Sequence, residues 1–252
     1  MKKYNDFSKG FSLLELSIVL VVIGLLFGGI LAGKSLARNA AIKSMISEVN
    51  NLKSAIGQFK LIYKGLPGDI TNATGVNGYW SSGTMNGDGD GQIDIETSNE
   101  PFAALDQLNL ANLLSSVYAG TWGSGFVLGA ASGDNVISSK LPQAGIYARC
   151  CSTTDYSRSL DFKNHVNVFA VYTGDATRRM GVVSPVEAYS IDVKMDDGNP
   201  DLGFVGGSGS WTGAAYAATD CYTNTGSSAT YDTAVANKKN LLGCQMHFAY
   251  DW

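Results

Sequence analysis

Charge is scarce in this chain of 252 residues: Asp, Glu, Lys and Arg make up 16% of it. The basic side is the smaller one, with 18 Lys and Arg against 22 Asp and Glu, a net charge of −4. That balance offers no basic footprint for nucleic acid. Histidine is nearly absent: His165 and His247 stand alone in strand-like contexts, NHVNVF and QMHFAY. With no histidine pair and no Cys-x-x-Cys pair, a zinc site has no ligand set. The chain also lacks a Gly-x-Ser-x-Gly elbow, a P-loop and a dinucleotide fingerprint. Its one glycine-rich acidic stretch, GDGDG, would repel phosphate. No internal repeat is present. Together these absences leave no catalytic set, and an enzyme is not expected.

What the chain does have is one long apolar run. Residues 11–32 are almost wholly apolar and hold a single acid, Glu15. As a helix, 22 residues span about 33 Å, enough to cross a bilayer. The run is preceded by MKKYNDFSKG, in which Lys2, Lys3 and Lys9 outnumber Asp6. A net-positive leader stays cytoplasmic under the positive-inside rule. The run is too long for the apolar core of an ordinary signal peptide. A plain anchor gives no reason for Glu15, since a carboxylate at membrane depth costs several kcal/mol, about 3 on insertion scales.

The order of these features is specific: basic leader, Gly10, Phe11, Glu15 as the fifth residue after the glycine, then the apolar stretch. GFSLLELSIVLVVIGLL closely resembles the class III signal of the type IV pilin superfamily, which includes the pseudopilins of type II secretion. The resemblance implies cutting after Gly10 by a prepilin peptidase and N-methylation of the new terminal Phe11. It implies that Glu15 meets the N-terminal amine of a neighbouring subunit during assembly, which offsets part of the cost of burying a charge. It covers the N-terminal third strongly and the rest weakly, through EAYSIDVKMDDGNPDLG and the cysteines that follow.

The helical pattern continues past the apolar run. Lys34 and Arg38 mark the far interface. Ile42, Met45/Ile46, Val49, Leu52, Ile56 and Phe59 then recur every three or four residues, an amphipathic stripe. Lys43, Ser47, Asn50, Asn51 and Lys53 take the other faces. Gly65-Leu66-Pro67-Gly68 stops the pattern. Residues 11–64 are therefore expected as one helix of about 80 Å. Gly24, Gly28, Gly29, Gly33 and Gly57 are places where it can bend or pack closely.

The expected division is a leader 1–10, a transmembrane helix half 11–33, an amphipathic half 34–64 and a globular domain 65–252. The fold class is α+β, with the long helix packed on an antiparallel sheet carrying long loops. Within the body the spacing predicts a helix over 101–118 and a second over 187–193. Strands are expected at 125–130, 145–148, 166–172, 181–183 and 241–249, with loop over 206–240.

One stretch, NGDGDGQIDIET (86–97), carries metal chemistry. Asn86, Asp88, Asp90, Gln92 and Asp94 fall at the oxygen-ligand positions of an EF-hand-type Ca²⁺ loop, with Gly91 at the turn. Position 12 is Thr97 rather than a bidentate glutamate, although Glu96 or Glu100 lies near. A solvated Asp/Gly turn fits the same residues. Some type II secretion pseudopilins carry a structural Ca²⁺ loop, which favours calcium by resemblance. In a second acidic stretch, Asp192, Asp196, Asp197 and Asp201, turn chemistry is the stronger reading.

The four cysteines are Cys150, Cys151, Cys221 and Cys244. An exported body sits in an oxidising compartment, where disulfides persist. By resemblance to the C-terminal disulfide of many type IV pilins, Cys221 pairs with Cys244. The alternative sends Cys150 and Cys151 to those two. The resemblance implies a subunit held in the bacterial inner membrane with its body in the periplasm. Its partners would be other pilin or pseudopilin subunits, the peptidase and the inner-membrane assembly platform. A minor, tip-located pilin acting as adhesin or partner-binding module is the alternative, suggested by the large body.

Overall fold

The computed structural model describes residues 12–94, 100–114, 136–150, 164–172, 175–211, 216–217, 221–224, 226–234 and 242–250. Gly10, Phe11, Glu96, Cys151 and the expected strand at 125–130 lie outside them. The chain divides into two units, Met1–Lys43 and Ser44–Trp252.

In the first unit the described residues are helix from Leu13 onward. α1 runs Leu13–Tyr63 without a break, so none of its glycines interrupts it. Its early part contains an 18-residue window apolar enough to cross a membrane, none of it buried within the protein. A Cβ placed on Gly24, Gly28, Gly29 or Gly33 would meet nothing within 4 Å.

The second unit opens with the amphipathic part of α1. Met45, Val49, Leu52, Ile56 and Phe59 are all buried, spaced four, three, four and three residues apart. That spacing keeps them on one helical face. Two polar residues of α1 also face the body. Glu48 accepts from the Ser139 hydroxyl and, at 3.1 Å, from the Lys140 N–H. Lys53 Nζ donates to the Ala249 carbonyl at 2.8 Å. Lys53, expected on the polar side, is therefore a tie to the end of the chain.

α1 ends at Tyr63, and Lys64 takes a left-handed φ of 63°. The chain then folds back over the helix end. Tyr63 meets Tyr79 at 4.8 Å, and Phe59 meets Trp80 at 6.3 Å, between ring centroids. α2, Glu100–Leu110, is nearly all buried. It is shorter than the expected 101–118. Asn112, at φ 56°, reverses the chain, while Leu113 N–H reaches the Leu108 carbonyl and Asn112 N–H the Asn109 carbonyl. This is a Schellman closure, and the apolar Leu113 belongs to it rather than to the helix.

The sheet is antiparallel and eight-stranded among the described residues. Its centre is β3, His165–Tyr172, which pairs along one edge with β2, Ala144–Arg149. β1, Ile137–Ser138, extends that side. The other edge of β3 is shared. Its start pairs with β10, Gln245–Ala249, and its end with β4, Asp175–Met180. β5, Val205–Ser208, pairs with β10. β6, Ser210–Trp211, and β7, Tyr216–Ala217, continue from β4. β8, Tyr222–Thr223, and β9, Thr230–Tyr231, form a separate pair. α3, Pro185–Met195, starts with a capping box between Ser184 and Glu187.

Two expectations change. Residues 206–240, read as loop, include β5's end and the short strands β6 to β9 among the described residues. Strands of two residues are too short to show any alternation, so only pairing reveals them. The strand expected at 181–183 is instead β4 before it and a single bridge, Val183 to Cys244.

Cys221 and Cys244 form a disulfide, with Cα atoms 4.9 Å apart. Cys150 is disulfide-bonded as well. The Cys221–Cys244 bond closes a loop of sequence separation 23, worth about 3 kcal/mol of unfolded-state entropy. Replacing both by serine is expected to lower unfolding stability by that amount, read by denaturant titration. An unchanged midpoint would show that the bond is dispensable.

Candidate functional site

Two places hold the chemistry expected from the sequence: the start of α1 and the acidic loop after it.

At the start of α1, Ser12 and Glu15 cap the helix reciprocally. Ser12 Oγ accepts from Leu14 N–H at 3.3 Å, and Glu15 Oε2 accepts from Ser12 N–H at 3.4 Å. Ser-Leu-Leu-Glu is thus a capping box in all but the offset of the serine bond. A negative side chain there also faces the positive end of the helix dipole. The Ser-x-x-Glu spacing was available in the sequence. It gives Glu15 a role inside its own chain, in addition to the pairing implied by resemblance.

The acidic loop is built against α2. Gln107, fully buried on α2, accepts from Gly68 N–H at 2.7 Å and donates to the Met85 carbonyl at 2.9 Å. One side chain thus clamps the residue before Asp69 and the residue before Asn86. The approach is too close for side chains. A Cβ on Gly68 would lie 2.4 Å from the Glu100 carbonyl oxygen, and one on Gly87 would lie 2.3 Å from the Asp69 Cα. Glycine is the residue such an approach permits. Asn164 holds the far end, accepting from Ile93 N–H and donating to the Gly91 carbonyl.

The five expected ligands are placed differently from one another. Asn86 spends its side chain on Thr74, accepting from its N–H at 2.8 Å and donating to its carbonyl. Asp88 accepts from Asp90 N–H, and Asp90 accepts from the backbone and side chain of Gln92. Asp88, Asp90 and Asp94 each bring an oxygen within 4.8 Å of the other two. Asp88 also belongs to a second triad with Asp69 and Glu100. Glu100, buried at the start of α2, accepts from Asp88 N–H at 3.1 Å and Asp94 N–H at 3.0 Å. Asp69 accepts from Gly91 N–H at 3.1 Å.

Asp69 was missed from sequence because it follows the Leu-Pro-Gly that ends the helix and reads as turn. A signal existed: no Lys, Arg or His occurs between Lys64 and Lys140, while acids gather there. Burial is the first cause that raises the Asp69 pKa above its ordinary value; the Gly91 and Gly89 amides lower it, and Asp90 and Asp88 raise it.

The second acidic cluster is built mainly as a turn. Buried Asp192 accepts from the Tyr231 hydroxyl at 2.7 Å and from Gly198 N–H at 2.9 Å. Asp196 accepts from Phe204 and Val205 N–H, and Asp201 accepts from Gly226 N–H while its own N–H donates to Asn199 Oδ1. These bonds join the loop after α3 to β5 and to the turn between β8 and β9. His247 is buried on β10 with Nε2 2.6 Å from Ser208 Oγ, a contact within the sheet.

No family model, no curated protein and no solved structure matches the chain. The fold and sites define an α+β protein with an N-terminal helix long and apolar enough to span a membrane and a disulfide-bonded body.

Proposed function

We propose that the chain is a prepilin-like subunit, cut after Gly10 and assembled through α1 into a type IV pilus or a type II secretion pseudopilus. The observation that carries this reading is the ordered set Gly10, Phe11, Glu15 and apolar run within GFSLLELSIVLVVIGLL. The architecture supports it: α1 passes from an unburied apolar part into an amphipathic part built into the body. On this reading the chain sits in the bacterial inner membrane with its body in the periplasm. Its partners are other subunits, a prepilin peptidase and the assembly platform, and it performs no catalysis of its own.

The test is processing. Co-expression of the full chain with a prepilin peptidase is expected to remove residues 1–10 and leave an N-methylated Phe11, read by intact-mass and N-terminal analysis. Gly10→Val is expected to leave the leader in place. A wild-type chain that keeps its leader beside an active peptidase would overturn the proposal.

A further inference from the structure

We infer that Asp69, Asp88 and Glu100 form a calcium site that joins the segment after α1 to the start of α2. One oxygen from each lies within 4.8 Å of the other two. An acidic group of this kind is common on protein surfaces, but this one differs in two respects. Asp69 is 4% exposed and Glu100 is 1% exposed, so two of the three carboxylates are taken out of water. Moreover, Asp69 Oδ1 is enclosed and has no hydrogen-bond partner, while Oδ2 is held by Gly91 N–H. A buried carboxylate oxygen without a donor is costly, and more so beside two other carboxylates. A cation supplies what that oxygen lacks.

Among the described residues none supplies the cation at this oxygen. Lys60 and Lys64 line the same cavity, of about 470 Å³, as Asp69 and Asp88, yet neither donates to Asp69 Oδ1. The next basic residue along the chain is Lys140.

The donors select the ion. All are carboxylate oxygens, which suit a hard cation. Ca²⁺ binds oxygen at 2.3–2.6 Å, so opposite ligands stand about 4.6–5.2 Å apart, whereas Mg²⁺ at 2.0–2.1 Å needs about 4.0–4.2 Å and strict octahedral geometry. Three carboxylates drawn from separate places along the chain suit the ion with the looser geometry. Asp90 and Asp94, which share Asp88 with this site through the neighbouring triad, add negative charge beside it. The Asp69–Glu100 pairing departs from the EF-hand order, in which the ligands come from one continuous loop. Here the loop supplies Asp88, and the two buried ligands come from either side of it. The inference stands whether or not the chain is a filament subunit.

The experiment uses the full chain in detergent, stripped with EGTA, and follows CaCl₂ titration by calorimetry and thermal unfolding. Wild type is expected to bind one Ca²⁺ per chain and to unfold at a higher temperature with it, by mass action. MgCl₂ at the same concentration is expected to give a smaller rise. Asp69→Asn is expected to weaken binding roughly tenfold or more through loss of a charged ligand. In EGTA this variant should unfold no earlier than wild type, because it loses a buried unpartnered charge; that separates lost binding from misfolding. Asp197→Asn, in the second acidic cluster, is expected to bind as wild type does. Absence of calcium heat at millimolar concentration, equal response to Mg²⁺, or normal affinity in Asp69→Asn would each overturn the site.

Discussion

Glu15→Gln is expected to abolish the filament assembly proposed for this chain while leaving the start of α1 capped, and Glu15→Ala is expected to lose both. The two variants separate roles that the sequence merges in one residue. Gln serves at the third position of a capping box as Glu does, so the bond from Ser12 N–H to this side chain can persist. Loss of the cap alone costs about 1 kcal/mol. The charge is a different matter. The proposed cut after Gly10 would leave only Phe11, with its free amine, ahead of the cap. Brought to membrane depth, that amine and Glu15 each carry a cost that only an opposite charge relieves, and removing one member leaves the other unpaired at roughly 3–5 kcal/mol. Sheared-filament yield, with leader cleavage as a control, gives the answer. A Gln variant that assembles like wild type would reduce Glu15 to a helix cap and remove the pairing role.

The second large effect is in pH. Burial pushes Asp106 up to about 7 from an ordinary 3.8. Asp192 is also pushed up to about 7, first by burial; Tyr231 and Gly198 donate and lower it, while Asp197 and Asp196 raise it. Between the ordinary value and about 7 the folded protein holds protons that the unfolded chain has released. Unfolding then releases protons, and stability falls as pH rises through that window. The slope approaches about 1.4 kcal/mol per pH unit for each group. Relaxation around the carboxylates keeps the expected combined loss from pH 4 to 8 to roughly 3–5 kcal/mol. Asp106 Oδ2 is buried without a partner, so Asp106→Asn removes a charge and breaks no bond to that atom. The variant is expected to match wild type near pH 4 and to exceed it by roughly 1–3 kcal/mol at pH 8. Denaturant midpoints across pH in EGTA give the difference curve. A flat difference would show that Asp106 titrates normally.

Much of α1 was legible because its signals are local. The apolar run, the buried stripe from Met45 to Phe59 and the Gly-Pro stop all act over a few turns of one helix. α3 and the strands β2, β3 and β10 were legible for the same reason, since each carries enough apolar residues to announce a buried face. The acidic loop showed its acids but not its partners. Nothing in NGDGDGQIDIET says that Asn86 is consumed by Thr74 or that Asp88 turns toward Glu100. Those outcomes depend on Gln107 drawing Gly68 and Met85 together. Asp69 is the clearest case. Locally it is one more aspartate after a proline-glycine turn, and only the approach of α2 encloses it and leaves its Oδ1 without a donor. Helix and strand are encoded by neighbours a few residues apart, whereas the burial of a charge is set by whatever the fold places against it.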